Sequence, residues 1–139
     1  LFIRILTGWL RISDRKILQL LPQIWVYQNL KVDLLEEHPD IDGMADALKT
    51  GDLKGITDRM ANVLETVTIP ANPVIDSVKK LIAENDSMGV LMSGSGPTVF
   101  GIYDNRDKEL AQRVVDMLRE KDEIQAAYAV SPYNIRRGM

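Results

Sequence analysis

The sequence predicts an α+β fold, in which a strand, several helices, two strands joined by a tight loop, a further helix and a last strand follow in split βαβ order. Three observations predict it. In residues 89–103 an apolar run enters Ser93-Gly94-Ser95-Gly96-Pro97, and a second run leaves it with Thr98, Phe100 and Ile102 alternating with Val99, Gly101 and Tyr103. Between residues 31 and 85 apolar side chains recur at helical spacing, and they do so again at Leu110, Val114, Val115 and Leu118 before an apolar stretch at 124–130.

Residues 1–25 are the least interpretable. Residues 1–6, a Thr7-Gly8 turn and residues 9–12 suit a hairpin, and residues 17–21 a further strand ended by Pro22. Ile41, Met44, Ala45 and Leu48 make a short helical stripe closed by Thr50-Gly51. Asp52 is placed to cap a second helix carrying Leu53, Ile56, Met60, Val63 and Leu64, with a break expected at Thr68-Ile69-Pro70-Ala71. Asn72-Pro73 then supplies a cap and a proline at the first helical position, where a missing N–H costs nothing. Val74, Ile75, Val78, Leu81 and Ile82 form the buried face of that helix, and Gly89 hands over to the strand. Asp104-Asn105 gives a turn and Asp107 a cap for the helix on which Leu110 to Leu118 lie. Residues 124–130 read as the last strand and 131–139 as a polar tail. The order is that of a ferredoxin-like antiparallel sheet with extra helices.

The chain's 139 residues suffice to bury a core, and a net charge of -3 with interspersed signs gives no nucleic-acid footprint. There is no cysteine, which excludes disulfides, thiol catalysis and zinc–thiolate sites within this sequence and is compatible with the reducing cytoplasm. No apolar run approaches the ~20 residues that span a bilayer. The start lacks a basic leader and a small-residue cleavage site, so it does not read as a signal peptide; beginning mid-strand, it reads as a piece of a longer protein. Should residues 1–25 fail to pack, Phe2, Trp9, Trp25 and the leucines would expose apolar surface that favours self-association.

Candidate chemistry centres on the loop. Two glycines free the backbone and two serines offer hydroxyls without bulk. Such a loop is either a plain turn between strands or one that sets several N–H groups against an anion. A dinucleotide fingerprint or Walker loop would need a helix where Pro97 and a strand follow. A nucleophile elbow would need glycines two residues before and after the serine, and neither Ser93 nor Ser95 has both. His38, the only histidine, sits in the acidic run Glu36-Glu37-His38-Pro39-Asp40, where no second imidazole or thiolate completes a transition-metal site, and Met44, Met60 and Met88 read as core filler.

The string Met92-Ser93-Gly94-Ser95-Gly96-Pro97-Thr98-Val99-Phe100-Gly101 resembles, almost letter for letter, the third motif of the GHMP family of small-molecule kinases, and the resemblance extends from about Val26 to about Val130. It implies a family C-terminal domain over residues 26–139, of the ferredoxin-like type with extra helices. It also implies a cytoplasmic enzyme using ATP and Mg²⁺ on a small-molecule alcohol, in which Gly94, Ser95 and Gly96, with Ser93 beside them, line the substrate and phosphate side of the cleft. Tyr27 matches an aromatic that faces a substrate nucleobase; read from the residues alone it is a tyrosine half-buried at the sheet edge. The family's phosphate loop and its catalytic lysine and aspartate belong to an amino-terminal domain missing here. No catalytic or metal-ligating residue is therefore expected in this chain, and no cofactor is expected to bind it alone. Other members of the superfamily, such as homoserine, mevalonate and galactose kinases, share the motif less closely. A stand-alone ferredoxin-like domain binding a ligand or partner is the reading from another class.

Overall fold

The computed structural model describes residues 2–6, 23–35 and 38–131. The expected pairing partner at 9–12, the strand at 17–21 and the polar tail lie outside them, except for Ser131. The antiparallel hairpin forms where the alternation places it, with β2 at Gly89–Met92 and β3 at Val99–Tyr103. Its register sets Gly89 opposite Ile102 and Met92 opposite Val99. On the other side of β3 runs β1, Phe2–Leu6, also antiparallel, with Phe2 opposite Tyr103 and Leu6 opposite Val99. The order β1-β3-β2 leaves β1 and β2 parallel with β3 between them, which is the split βαβ arrangement.

Met92, Val99 and Tyr103 point to one sheet face, against Ile75, Val78 and Ile82 of α5 (Pro73–Glu84) and Val114, Val115 and Leu118 of α6 (Lys108–Arg119). Gly101 lies on this face too. A Cβ there would stand 2.6 Å from Ile82 Cγ2, so the missing side chain is what lets α5 approach β3. The Tyr103 hydroxyl donates to the Ile82 carbonyl at 3.3 Å across the same contact.

Between β1 and α5 come α1 (Gln23–Asn29), a short 3₁₀ turn at Val32–Leu34, α2 (Ile41–Thr50), α3 (Leu53–Asp58) and α4 (Glu65–Ala71). Gly51 closes α2 in the left-handed region at φ +68°, which its lack of a Cβ permits. Asp52 caps α3 by accepting from Gly55 N at 3.0 Å. Pro73 takes the first position of α5, although the Asn72 side chain makes no capping bond. Met44, Met60 and Met88 are only half-buried, and among the described residues the fully buried methionine is Met92.

Two expected elements differ. The single helix expected to run from Asp52 to about Leu64 breaks after Asp58, and the expected break at 68–71 is instead the end of α4. Asn62 orders the turn before the new helix by accepting from Leu64 N at 3.1 Å. Pro70 stands inside α4, and the carbonyl its missing N–H would serve belongs to the exposed Thr66 rather than to a buried residue. The strand expected at 124–130 joins no ladder among the described residues. Its Ala127 carbonyl accepts from Arg119 Nε at 2.9 Å, the Arg119 guanidinium lies 5.8 Å from the Tyr128 ring centre, and three alanines give the segment low strand propensity. It packs instead as an irregular cover, with Ala127 buried in the core.

Candidate functional site

The Ser93–Thr98 loop is built inward from its ends. Ser93 N donates to Thr98 O at 2.8 Å, extending the β2–β3 ladder by one bond, and Gly96 N donates to Ser93 O at 3.1 Å to close a tight turn. Gly94 at φ +58° and Gly96 at φ +78° both occupy the left-handed region, and the Gly96–Pro97 peptide is cis. Their surroundings differ. A Cβ on Gly96 would meet Met92 Sδ at 2.7 Å and Thr68 Cγ2 at 3.2 Å, whereas one on Gly94 would meet nothing within 4 Å.

One face of α4 and the turn before it holds this loop. The Asn62 side-chain amide donates to Met92 O at 2.8 Å and to Gly94 O at 2.7 Å, and the Thr68 hydroxyl donates to Ser95 O at 3.0 Å. Glu65 Oε1 accepts from Met92 N at 2.8 Å while its Oε2 pairs with Lys79 Nζ at 2.6 Å, both side chains being largely shielded. The carbonyls of residues 92 to 95 are thus all taken up within the protein. The N–H groups of Gly94 and Ser95 have no hydrogen-bond partner among the described residues. With Ser93 and Gly94 exposed and the loop's carbonyls engaged, its unpartnered N–H groups are the polar backbone groups left for a ligand, a polarity suited to an anion. The Glu65 carboxylate beside it is engaged twice, by Met92 N and by Lys79.

Asn62, Glu65 and Thr68 were not apparent as site residues from the sequence; a polar residue at every third position amid apolar neighbours was the available signal. Tyr27 lies on helix α1 rather than at a sheet edge, about half exposed, while the neighbouring Val26 is buried. α1 touches α4, so Tyr27 stands one helix away from the loop, and no described hydrogen bond joins them.

His38 is exposed beside an open cleft shared with Asp40, Asp58 and Arg59. Asp40 caps α2 by accepting from Gly43 N at 3.0 Å and accepts from Arg59 Nε at 3.0 Å. The Gly43 N–H, and after it the Arg59 guanidinium, hold the Asp40 carboxyl below the ordinary aspartate value. Its contribution to α2 is therefore present at neutral pH and lost as acidification passes that lowered value. In an NMR titration of side-chain carboxyls, Arg59→Ala is expected to raise the Asp40 midpoint only part of the way to normal, because the larger Gly43 contribution stays. No group of three or more acidic, histidine or cysteine side chains among the described residues is arranged to hold a metal ion.

A family model described as "GHMP kinases C terminal" matches residues 44–124, more than half of the chain and inclusive of the whole clamped loop. The chain belongs to the GHMP kinase family. Within this GHMP kinase domain, 108 residues are 44% identical to a protein of Lachnospira eligens named 4-diphosphocytidyl-2-C-methyl-D-erythritol kinase, over 78% of this chain and 37% of the relative. A protein of the same name from Lachnoclostridium phytofermentans is 45% identical over 82 residues, 59% of this chain and 28% of the relative. The Clostridium perfringens protein of that name is 34% identical over 78% of this chain. The GHMP kinase domain thus spans roughly a third of the length of these curated relatives. A crystal structure of 4-(cytidine 5'-diphospho)-2C-methyl-D-erythritol kinase shares its fold, with a TM-score of 0.62 and 22% identity over 94% of this chain and 43% of that one.

Proposed function

We propose that residues 26–139 form the C-terminal domain of an ATP-dependent 4-diphosphocytidyl-2-C-methyl-D-erythritol kinase of non-mevalonate isoprenoid synthesis, a cytoplasmic enzyme. The observation that carries this reading is the 44% identity to a relative of that name across 78% of the chain. In the intact enzyme the 2-hydroxyl oxygen of the substrate attacks the γ-phosphorus of ATP, the bond to the bridging oxygen breaks, ADP leaves and the hydroxyl proton is lost. Phosphoryl transfer depends on positioning and charge neutralisation. This domain supplies one wall of the cleft: Ser93, Gly94, Ser95 and Gly96 on the substrate and phosphate side, and Tyr27 as a face for the cytosine ring. Its loop has no outward carboxylate and does not fit a Mg²⁺ site, so the metal and the catalytic groups fall to the amino-terminal domain that this chain requires as partner. Trp25, 39% exposed, is the described part of the apolar surface through which the isolated chain would self-associate.

The test is turnover. The full-length protein containing this chain, given ATP, Mg²⁺ and the diphosphocytidyl substrate, is expected to release one ADP per phosphorylated product, while residues 1–139 alone release none. Stoichiometric ADP from the isolated chain, or none from the full-length protein, overturns the reading.

A further inference from the structure

Asn62 and Thr68 lie outside the Gly/Ser loop, yet between them they bind three carbonyls at its start, those of Met92, Gly94 and Ser95. Glycine at 94 and 96 makes the backbone permissive, so the peptide planes of this loop could turn either way at small cost. What decides their direction is which groups find partners. One Asn62 amide nitrogen binds two carbonyls, at 2.8 and 2.7 Å, and the Thr68 hydroxyl binds a third from a position only 1% exposed, where water is not available as a substitute. Releasing them would let the 94–95 region rotate and turn a carbonyl, rather than an N–H, toward the cleft. A carbonyl facing a phosphate repels it.

We propose that Asn62 and Thr68 are positioning residues for phosphoryl transfer: they clamp the carbonyls of Met92, Gly94 and Ser95 inward, so that the loop presents its N–H groups to the anionic substrate side of the cleft. This role rests on the kinase reading above, and two measurements separate the two. Asn62→Asp keeps the oxygen that accepts from Leu64 N, and so keeps the turn that leads into α4, but replaces the two-carbonyl donor with an acceptor. Thr68→Val removes the hydroxyl at nearly constant shape, and Thr68→Ser restores it.

In the 139-residue chain, hydrogen exchange of the Ser93 and Gly96 amides is expected to accelerate at least about tenfold in Asn62→Asp and Thr68→Val, with α5 and α6 amides unchanged. In the full-length kinase, assayed well below its melting temperature, kcat is expected to fall at least about tenfold in both variants while KM for ATP moves less than about threefold, and Thr68→Ser is expected to recover most of the loss. A merely structural role would lower the melting temperature and leave kcat of the folded enzyme intact; that result overturns the proposal. Turnover with unaltered exchange overturns the clamp and leaves the kinase reading. Accelerated exchange in a full-length protein whose wild type leaves ATP intact overturns the kinase reading and, with it, the catalytic purpose of the clamp.

Discussion

Replacing Glu65 with alanine is expected to destabilise the fold by about 3–5 kcal/mol, the cost of leaving a shielded charge without its partner. Glu65 binds Lys79 at 2.6 Å with the other oxygen on Met92 N, and the two charged side chains are 17% and 19% exposed. Its removal strands an ammonium on α5 and a backbone donor at the end of β2 together. Glu65→Gln keeps an acceptor for Met92 N and loses only the charge, so about 1–3 kcal/mol is expected from the charge-assisted bond to Lys79. Joint replacement of Glu65 and Lys79 by leucine should recover part of the alanine loss, because no uncompensated charge remains. Urea unfolding of the four proteins measures all of this. A loss below about 1 kcal/mol for Glu65→Ala would mean that water reaches Lys79 freely and that the pair does not join α4, α5 and β2.

The second large effect is expected at Gly101. A valine there must place its Cβ where Ile82 Cγ2 stands 2.6 Å away and Tyr103 Cε2 3.3 Å away, which forces α5 off the sheet. Overpacking of this kind costs about 1–3 kcal/mol, and the upper end applies because Ile82 is fully buried, in the last turn of α5 and held by the turns before it. Ile82→Ala alone should cost about 2–5 kcal/mol through its cavity. The Gly101→Ala/Ile82→Ala pair fills that cavity from the opposite side, so its loss should be smaller than the sum of the two single losses. Strict additivity would place the two residues out of contact.

The elements legible in the sequence were those whose period and ends agreed. The hairpin alternates around a glycine-rich turn, α6 repeats its apolar residues at helical spacing, and α5 announces itself with Asn72-Pro73. Residues 53–64 misled because Met60, Val63 and Leu64 continue the apolar spacing of α3 through a stretch that is not helical: the core takes Leu64 from a turn, and Met60 and Val63 stay half-buried. Residues 124–130 misled because an apolar run satisfies a core without a ladder once Arg119 takes the Ala127 carbonyl. The loop itself stood out by composition. Its clamp did not, since Asn62, Glu65 and Thr68 act on partners 27 to 32 residues away and nothing local marks a polar side chain as aimed at a distant carbonyl.

The two loop glycines answer to different pressures. Met92 and Thr68 already fill the space beside Gly96, so any descendant of this chain must retain it merely to fold. Beside Gly94 there is only room, and at φ +58° an asparagine or aspartate could stand there. In a lineage that discarded the other half of the enzyme, position 94 would therefore be free to drift long before position 96, and its identity would record whether the cleft was still in use.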